Sequence, residues 1–208
     1  MVQSKPAKSV KLADLREWFG LQRVEADGFF EEWLKDLPEL ALGELERLAQ
    51  VRRHYLYLLE YPVMEGVVKM VVLSPLLELA GFYDAPFRVS GETEIRVTAQ
   101  DEGEVIHGNI DILVLQQQFW ITVIEAKNSE LALSKAVPQA LSYMMAAPNT
   151  DRPGYGLVMN GSEFLFLKLD RRSEDPIYAQ SDIFSLLNRG YNLIGVLQIL
   201  KKFARLLV

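Results

Sequence analysis

Gly108-Asn-Ile-Asp-Ile-Leu-Val-Leu-Gln-Gln-Gln-Phe-Trp-Ile-Thr-Val-Ile-Glu-Ala-Lys127 is the stretch whose reading decides the fold. Its apolar residues run almost unbroken from Ile110 to Leu115 and from Phe119 to Ile124, with Gln116-Gln117-Gln118 between them. Two apolar runs of strand length around a polar break predict a β-hairpin buried on both faces. Asp111, Glu125 and Lys127 interrupt that pattern, and a hydrophobic core would select none of them on its own.

Positions 111 and 125 are symmetric about Gln118, so a turn centred there sets Asp111 opposite Glu125. A turn centred one residue earlier keeps them on one face, displaced diagonally. Strand alternation puts Lys127 on the face of Glu125. Two carboxylates about 5 Å apart repel by roughly 3 kcal/mol at an effective dielectric of about 20, and a bound divalent cation reverses that sign. Hard cations such as Mg²⁺ take oxygen ligands and keep several waters, so the two carboxylates and the backbone carbonyl of Ala126 make a candidate site. An ion pair of Lys127 with either acid, or a shifted turn that leaves both acids in water at a strand end, accounts for the same residues without a metal.

Immediately upstream, residues 87–98 read as a strand interrupted at Ser90-Gly91, and Gly108 reads as a bulge just before Asp111. With the hairpin they make a three-stranded antiparallel meander. Before it, a largely apolar helix runs from Val63 to Ala80, opened by Pro62, kinked or reset at Pro75 and stopped by Gly81. Glu65 lies early in that helix, where a carboxylate caps, binds something, or pairs with Lys69 four residues on.

Downstream, a helix covers about 131–146, with its regular part starting at Val137 or Pro138 because proline is costly in a helix interior. Gln139 and Tyr143 are then one turn apart on one face. The apolar run Tyr155–Met159 follows that helix and is expected to lie parallel to a neighbour through a right-handed crossover. Asn160-Gly161 signals a type I′ hairpin into a strand at 163–169, and a last helix spans 192–207.

The N-terminal third reads as helical. Residues 1–8 look like a frayed tail, Leu12, Leu15, Trp18 and Phe19 have helical spacing up to Gly20, 29–34 is a short amphipathic piece, and 41–59 keeps a 3.6 period. Residues 1–60 are thus expected to be an N-terminal helical extension and 61–208 the main domain, joined as one compact unit.

Composition narrows the classes. The chain of 208 residues is half hydrophobic and long enough to bury a substantial core. It has no cysteine, which removes disulfides, thiolate metal sites and thiol catalysis. No apolar run approaches membrane-spanning length and no leader pattern is visible, so a cytoplasmic protein is expected. A net charge of −6 argues against autonomous, sequence-independent nucleic-acid binding. A nucleic-acid role would rest on a local basic surface, a metal or a partner.

Glu65 on the helix before the meander, Asp111 on its second strand, Glu125-Ala126-Lys127 on its third and Gln139-Ala-Leu-Ser-Tyr143 on the next helix resemble the PD-(D/E)XK nuclease superfamily. The Gln-x-x-x-Tyr pair is similar to one branch of it, and Glu65 to Phe82 looks like the first helix of the N-terminal nuclease domain of type I restriction-enzyme R subunits. Ile110 stands where the family name has proline. The resemblance covers about residues 63–200 and implies an α/β (mixed α+β) fold: a restriction-endonuclease-like α-β-β-β-α-β core whose mixed sheet is flanked by helices.

By that resemblance Asp111, Glu125, the Ala126 carbonyl and Glu65 hold one or two Mg²⁺ ions, with Mn²⁺ as a substitute. Lys127 orients or helps deprotonate the attacking water, and Gln139 and Tyr143 position the phosphate or the metal-site side chains. The implied activity is metal-dependent hydrolysis of DNA phosphodiester bonds, endo- or exonucleolytic, with RNA left open. A motor or other protein partner is implied by the R subunit, and a homodimer would suit double-strand cutting. The alternative is a non-catalytic nucleic-acid- or protein-binding module that retains the nuclease fold. Asn109 shares the face of Asp111, and His54 and His107 receive no role.

Overall fold

The computed structural model describes residues 4–26, 28–61, 63–98, 105–116, 119–125, 133–188 and 192–207. Their middle layer is one mixed sheet of nine described strands. β3 (Arg88–Thr98), β4 (Val105–Gln116) and β5 (Phe119–Glu125) make the antiparallel meander. The chain then passes through α5 (Val137–Met145) and enters β6 (Gly154–Met159) parallel to β5, as the strand, helix, strand order requires. β7 (Glu163–Asp170) returns antiparallel, and β8 (Ile177–Gln180) and β9 (Phe184–Ser185) both pair with it.

The turn between β6 and β7 is not type I′. Gly161 has φ +92°, but Asn160 has no positive φ and its side-chain oxygen instead accepts the Glu163 N–H at 2.9 Å. The asparagine is used as a local hydrogen-bond acceptor rather than for left-handed backbone.

The N-terminal third departs from an all-helical extension. Ser4–Pro6 forms β1, parallel to β4, and Gln22–Arg23 forms β2, parallel to β8. Between them α1 (Leu12–Phe19) ends at Gly20, whose φ of +65° is a left-handed cap. Ala7 and Val10 are buried, so residues 4–10 are anchored to the core through them rather than frayed. A three-residue strand has no periodicity to betray it; its pairing is set by an edge supplied a hundred residues later. Residues 28–34 form turns instead of a helix, with Gly28 at φ +92°, and α2 (Leu42–Leu58) follows where the 3.6 period puts it.

The remaining helix before the meander starts at Glu65. α3 (Glu65–Val68) continues through a π-turn (Lys69–Leu73) into α4 (Ser74–Leu79). Pro75 has no N–H to offer the Val71 carbonyl, and the Ser74 N–H bonds the Lys69 carbonyl five residues back. The proline therefore resets the helix by a one-residue widening.

α2, the α3–α4 helix and α6 (Asn192–Leu207) cover one sheet face, where Val51, Tyr55, Val72, Leu76, Leu197 and Phe203 pack with Val114, Leu157, Met159 and Phe166. α1 and α5 cover the other, where Leu15, Leu141 and Tyr143 pack with Ile106, Ile110, Leu113, Val158 and Leu167. A sheet covered on both faces explains why the central strands read as continuous apolar runs. The molecule is a mixed α/β layered structure.

Candidate functional site

β4 carries two irregularities at the position of Asp111. Along one edge it pairs with β3 from Val105 to Leu115. Along the other, β1 pairs with residues 105–107 and β5 with residues 112–116, so among the described residues no strand pairs with 108–111 on that edge. The alternation of faces also slips there. Ile106 and Ile110 belong to the α1/α5 face, and so does Leu113, three residues on instead of two. On β3 the facing position is Glu92, with φ +46°, between the regular pairs Gly91↔Ile112 and Thr93↔Ile110. The irregularity expected at Gly108 is thus at Asp111, while Gly108 pairs regularly with Ile95.

Gly108 has a different reason to be glycine. A Cβ there would lie 2.3 Å from the Tyr143 hydroxyl and 3.0 Å from the Ala7 Cβ. α5 brings that hydroxyl against the open edge, where it accepts the Asn109 backbone N–H and the Gln139 amide, the latter at 3.0 Å. Gln139 and Tyr143, one turn apart, therefore act together beside Asn109. Burial pushes the Tyr143 phenol above its ordinary pKa, the Gln139 hydrogen bond opposes this, and the Asp111 carboxylate adds to the rise. At neutral pH it is a protonated hydroxyl beside a carboxylate.

Across the sheet, Lys69 joins the two acids. Its Nζ lies 2.7 Å from Glu65 Oε1 and 3.4 Å from Asp111 Oδ1. The first contact is the i,i+4 pair that the sequence suggests. The second spans 42 positions and exists because the slip at Asp111 turns that residue toward α3. Lys69 was legible in sequence only as the helical partner of Glu65; its bridging role is a product of the fold.

Glu125 ends β5, with its backbone level with Met159 of β6. The β4–β5 ladder pairs Gln116 with Phe119 and Ile112 with Val123, so it is centred between positions 117 and 118 rather than on either centre expected above. A connection of two residues is the commonest hairpin closure. Asp111 lies one residue beyond the last pair and is opposite neither Glu125 nor its diagonal neighbour in that ladder. Ala126 and Lys127 lie outside the described residues. His54 is exposed on α2.

Two carboxylates already gathered around one cationic group are a donor set that suits a hard divalent cation. Among the described residues no group of three or more His, Asp or Glu side chains could hold a metal, so Glu65 and Asp111 would need further oxygen ligands, the role that the resemblance gives to Glu125 and the Ala126 carbonyl. A cleft of about 470 Å³ lies elsewhere, bordered by Arg23, Trp33, Lys35 and Gln180, and includes none of these residues. No helix of the described residues is long and apolar enough to cross a membrane. No protein-family model matches the chain, and no curated protein sequence matches it.

Proposed function

We propose that the protein is a metal-dependent nuclease that hydrolyses DNA phosphodiester bonds, with a restriction-endonuclease-like core similar to the nuclease domain of type I R subunits. The observation that carries this reading is the convergence of the Glu65 and Asp111 carboxylates, from α3 and β4, on one ammonium group. Element order supports it: the acid-bearing helix, a meander with Asp111 on its second strand and Glu125 closing its third, the helix with Gln139 and Tyr143, and a strand parallel to the third.

A bound Mg²⁺ or Mn²⁺ would polarise the phosphodiester and make a water more acidic. Glu65, Asp111, Glu125 and the Ala126 carbonyl are the oxygen ligands in this reading. Lys127 orients the attacking water. Gln139 fixes the Tyr143 hydroxyl, whose proton stays in place at neutral pH and is available to a phosphate oxygen or to Asp111. With a net charge of −6, the chain relies on the cation and on local contacts, or on a protein partner, to hold a polyanion.

The test is calorimetric titration of Mg²⁺ and Mn²⁺ into the wild type and the Asp111→Ala and Glu125→Ala variants, with plasmid cleavage assayed on the same samples. Wild-type protein should bind metal and nick the plasmid, and both properties should disappear together in the variants. Folded wild-type protein that binds metal weakly or not at all and leaves plasmid intact would instead favour a non-catalytic binding module.

A further inference from the structure

We propose that Lys69 is a built-in counter-ion that takes the divalent cation's place between Glu65 and Asp111 and has to withdraw before that cation can bind. The inference rests on the metal-binding reading above and gives Lys69 a role which that reading does not assign.

The geometry makes the lysine a competitor rather than a helper. Its Nζ is in ion-pair contact with both carboxylates, so a second cation drawn to the same two oxygens meets a positive charge at that position. The backbone that carries it is fixed: Val68, Val72 and Leu73 are buried around it, and the Lys69 carbonyl is tied by the π-turn bond from Ser74. Only the side chain can move. At 26% side-chain exposure it has water to withdraw into, which a fully buried lysine would lack. A divalent ion offers both carboxylates twice the charge, so exchange is favourable once the ion is abundant, and the lysine sets how abundant it must be. In the metal-free protein the same ammonium prevents repulsion between Glu65 and Asp111.

The experiment is Mn²⁺ titration by calorimetry at constant ionic strength, with melting curves in EDTA and in Mn²⁺, on wild-type protein and on Lys69→Met, Lys69→Arg and Asp111→Ala. Lys69→Met should bind Mn²⁺ about tenfold more tightly than wild type. It should melt lower in EDTA and gain more from Mn²⁺ than wild type does. Lys69→Arg keeps the charge and should stay within about threefold of wild type. Unchanged or weaker binding by Lys69→Met, or tightening by Lys69→Arg equal to that of Lys69→Met, overturns the proposal. If Asp111→Ala still abolishes binding in that case, the metal site stands and only the role of Lys69 falls. If neither wild type nor Lys69→Met binds Mn²⁺, both readings fall.

Discussion

Gly108 and Tyr143 are matched to each other: one lacks the atom that the other's hydroxyl would strike, and that hydroxyl in turn satisfies the N–H of the residue beside the glycine. Gly108→Ala should cost about 1–3 kcal/mol by overpacking. Tyr143→Phe should cost about 0.5–1.5 kcal/mol because the hydrogen bonds to its hydroxyl are lost. The double variant should lose less than the two costs together, by roughly 0.5 kcal/mol or more, since removing the hydroxyl makes room for the methyl. Urea unfolding of the three variants measures this, and simple additivity would show that the glycine and the tyrosine do not meet. At this scale the sequence was informative wherever residue type clashed with its surroundings. An aspartate inside an apolar strand and a glutamate inside an apolar helix marked two members of the cluster. Lys69 did not stand out, because an i,i+4 lysine on a helix needs no explanation, and Gly108 was legible as special but for the wrong reason.

Among the elements, those with a sustained period were readable: α2, α6, the meander and the β5–α5–β6 crossover lie where hydrophobic spacing puts them. The short strands β1, β2, β8 and β9 were not, because two to four residues give no period, and β1 and β2 pair with edges about a hundred residues or more away. The hairpin register escaped for a related reason, since a shift of one residue moves every facing pair while leaving the apolar runs unchanged. Strand ends also carry charge that can be tested. Asp170, the last residue of β7, accepts hydrogen bonds from the Arg172 backbone N–H at 3.0 Å and from its Nε at 2.9 Å. The Arg172 guanidinium holds this carboxyl below the ordinary aspartate pKa. A carboxyl whose pKa is lower folded than unfolded contributes stability above its ordinary pKa and loses it as pH falls through the folded value. Asp170→Asn should therefore melt lower than wild type at pH 7, and the gap should narrow as the pH drops below about 4. A gap that stays constant from pH 7 to pH 3 would remove the ionic contribution.

At the scale of the whole molecule, the described residues before position 61 share the sheet and both cores with the rest of the chain. β1 and β2 join the same sheet as the meander, Ala7, Val10 and Leu15 belong to the core on one side, and Leu48, Val51 and Tyr55 to the core on the other. The described residues should therefore unfold together. Calorimetry of the full chain should give one transition whose van't Hoff and calorimetric enthalpies agree, and a chain of residues 61–208 alone should show no cooperative melt. Two resolved transitions, or a truncated chain that melts like the full one, would show that the two parts fold independently. The parallel seat of Ser4–Pro6 on Val105–His107 also imposes an order of events during synthesis. At roughly 5–20 residues per second a ribosome needs about 5–20 seconds to make the hundred residues between the two strands. Until then β1 has no edge to pair with, and the apolar residues after it have nowhere to pack. The nascent chain thus makes its first strand well before the edge that seats it, and the strip of β4 leading to Asp111 emerges with that partner already made.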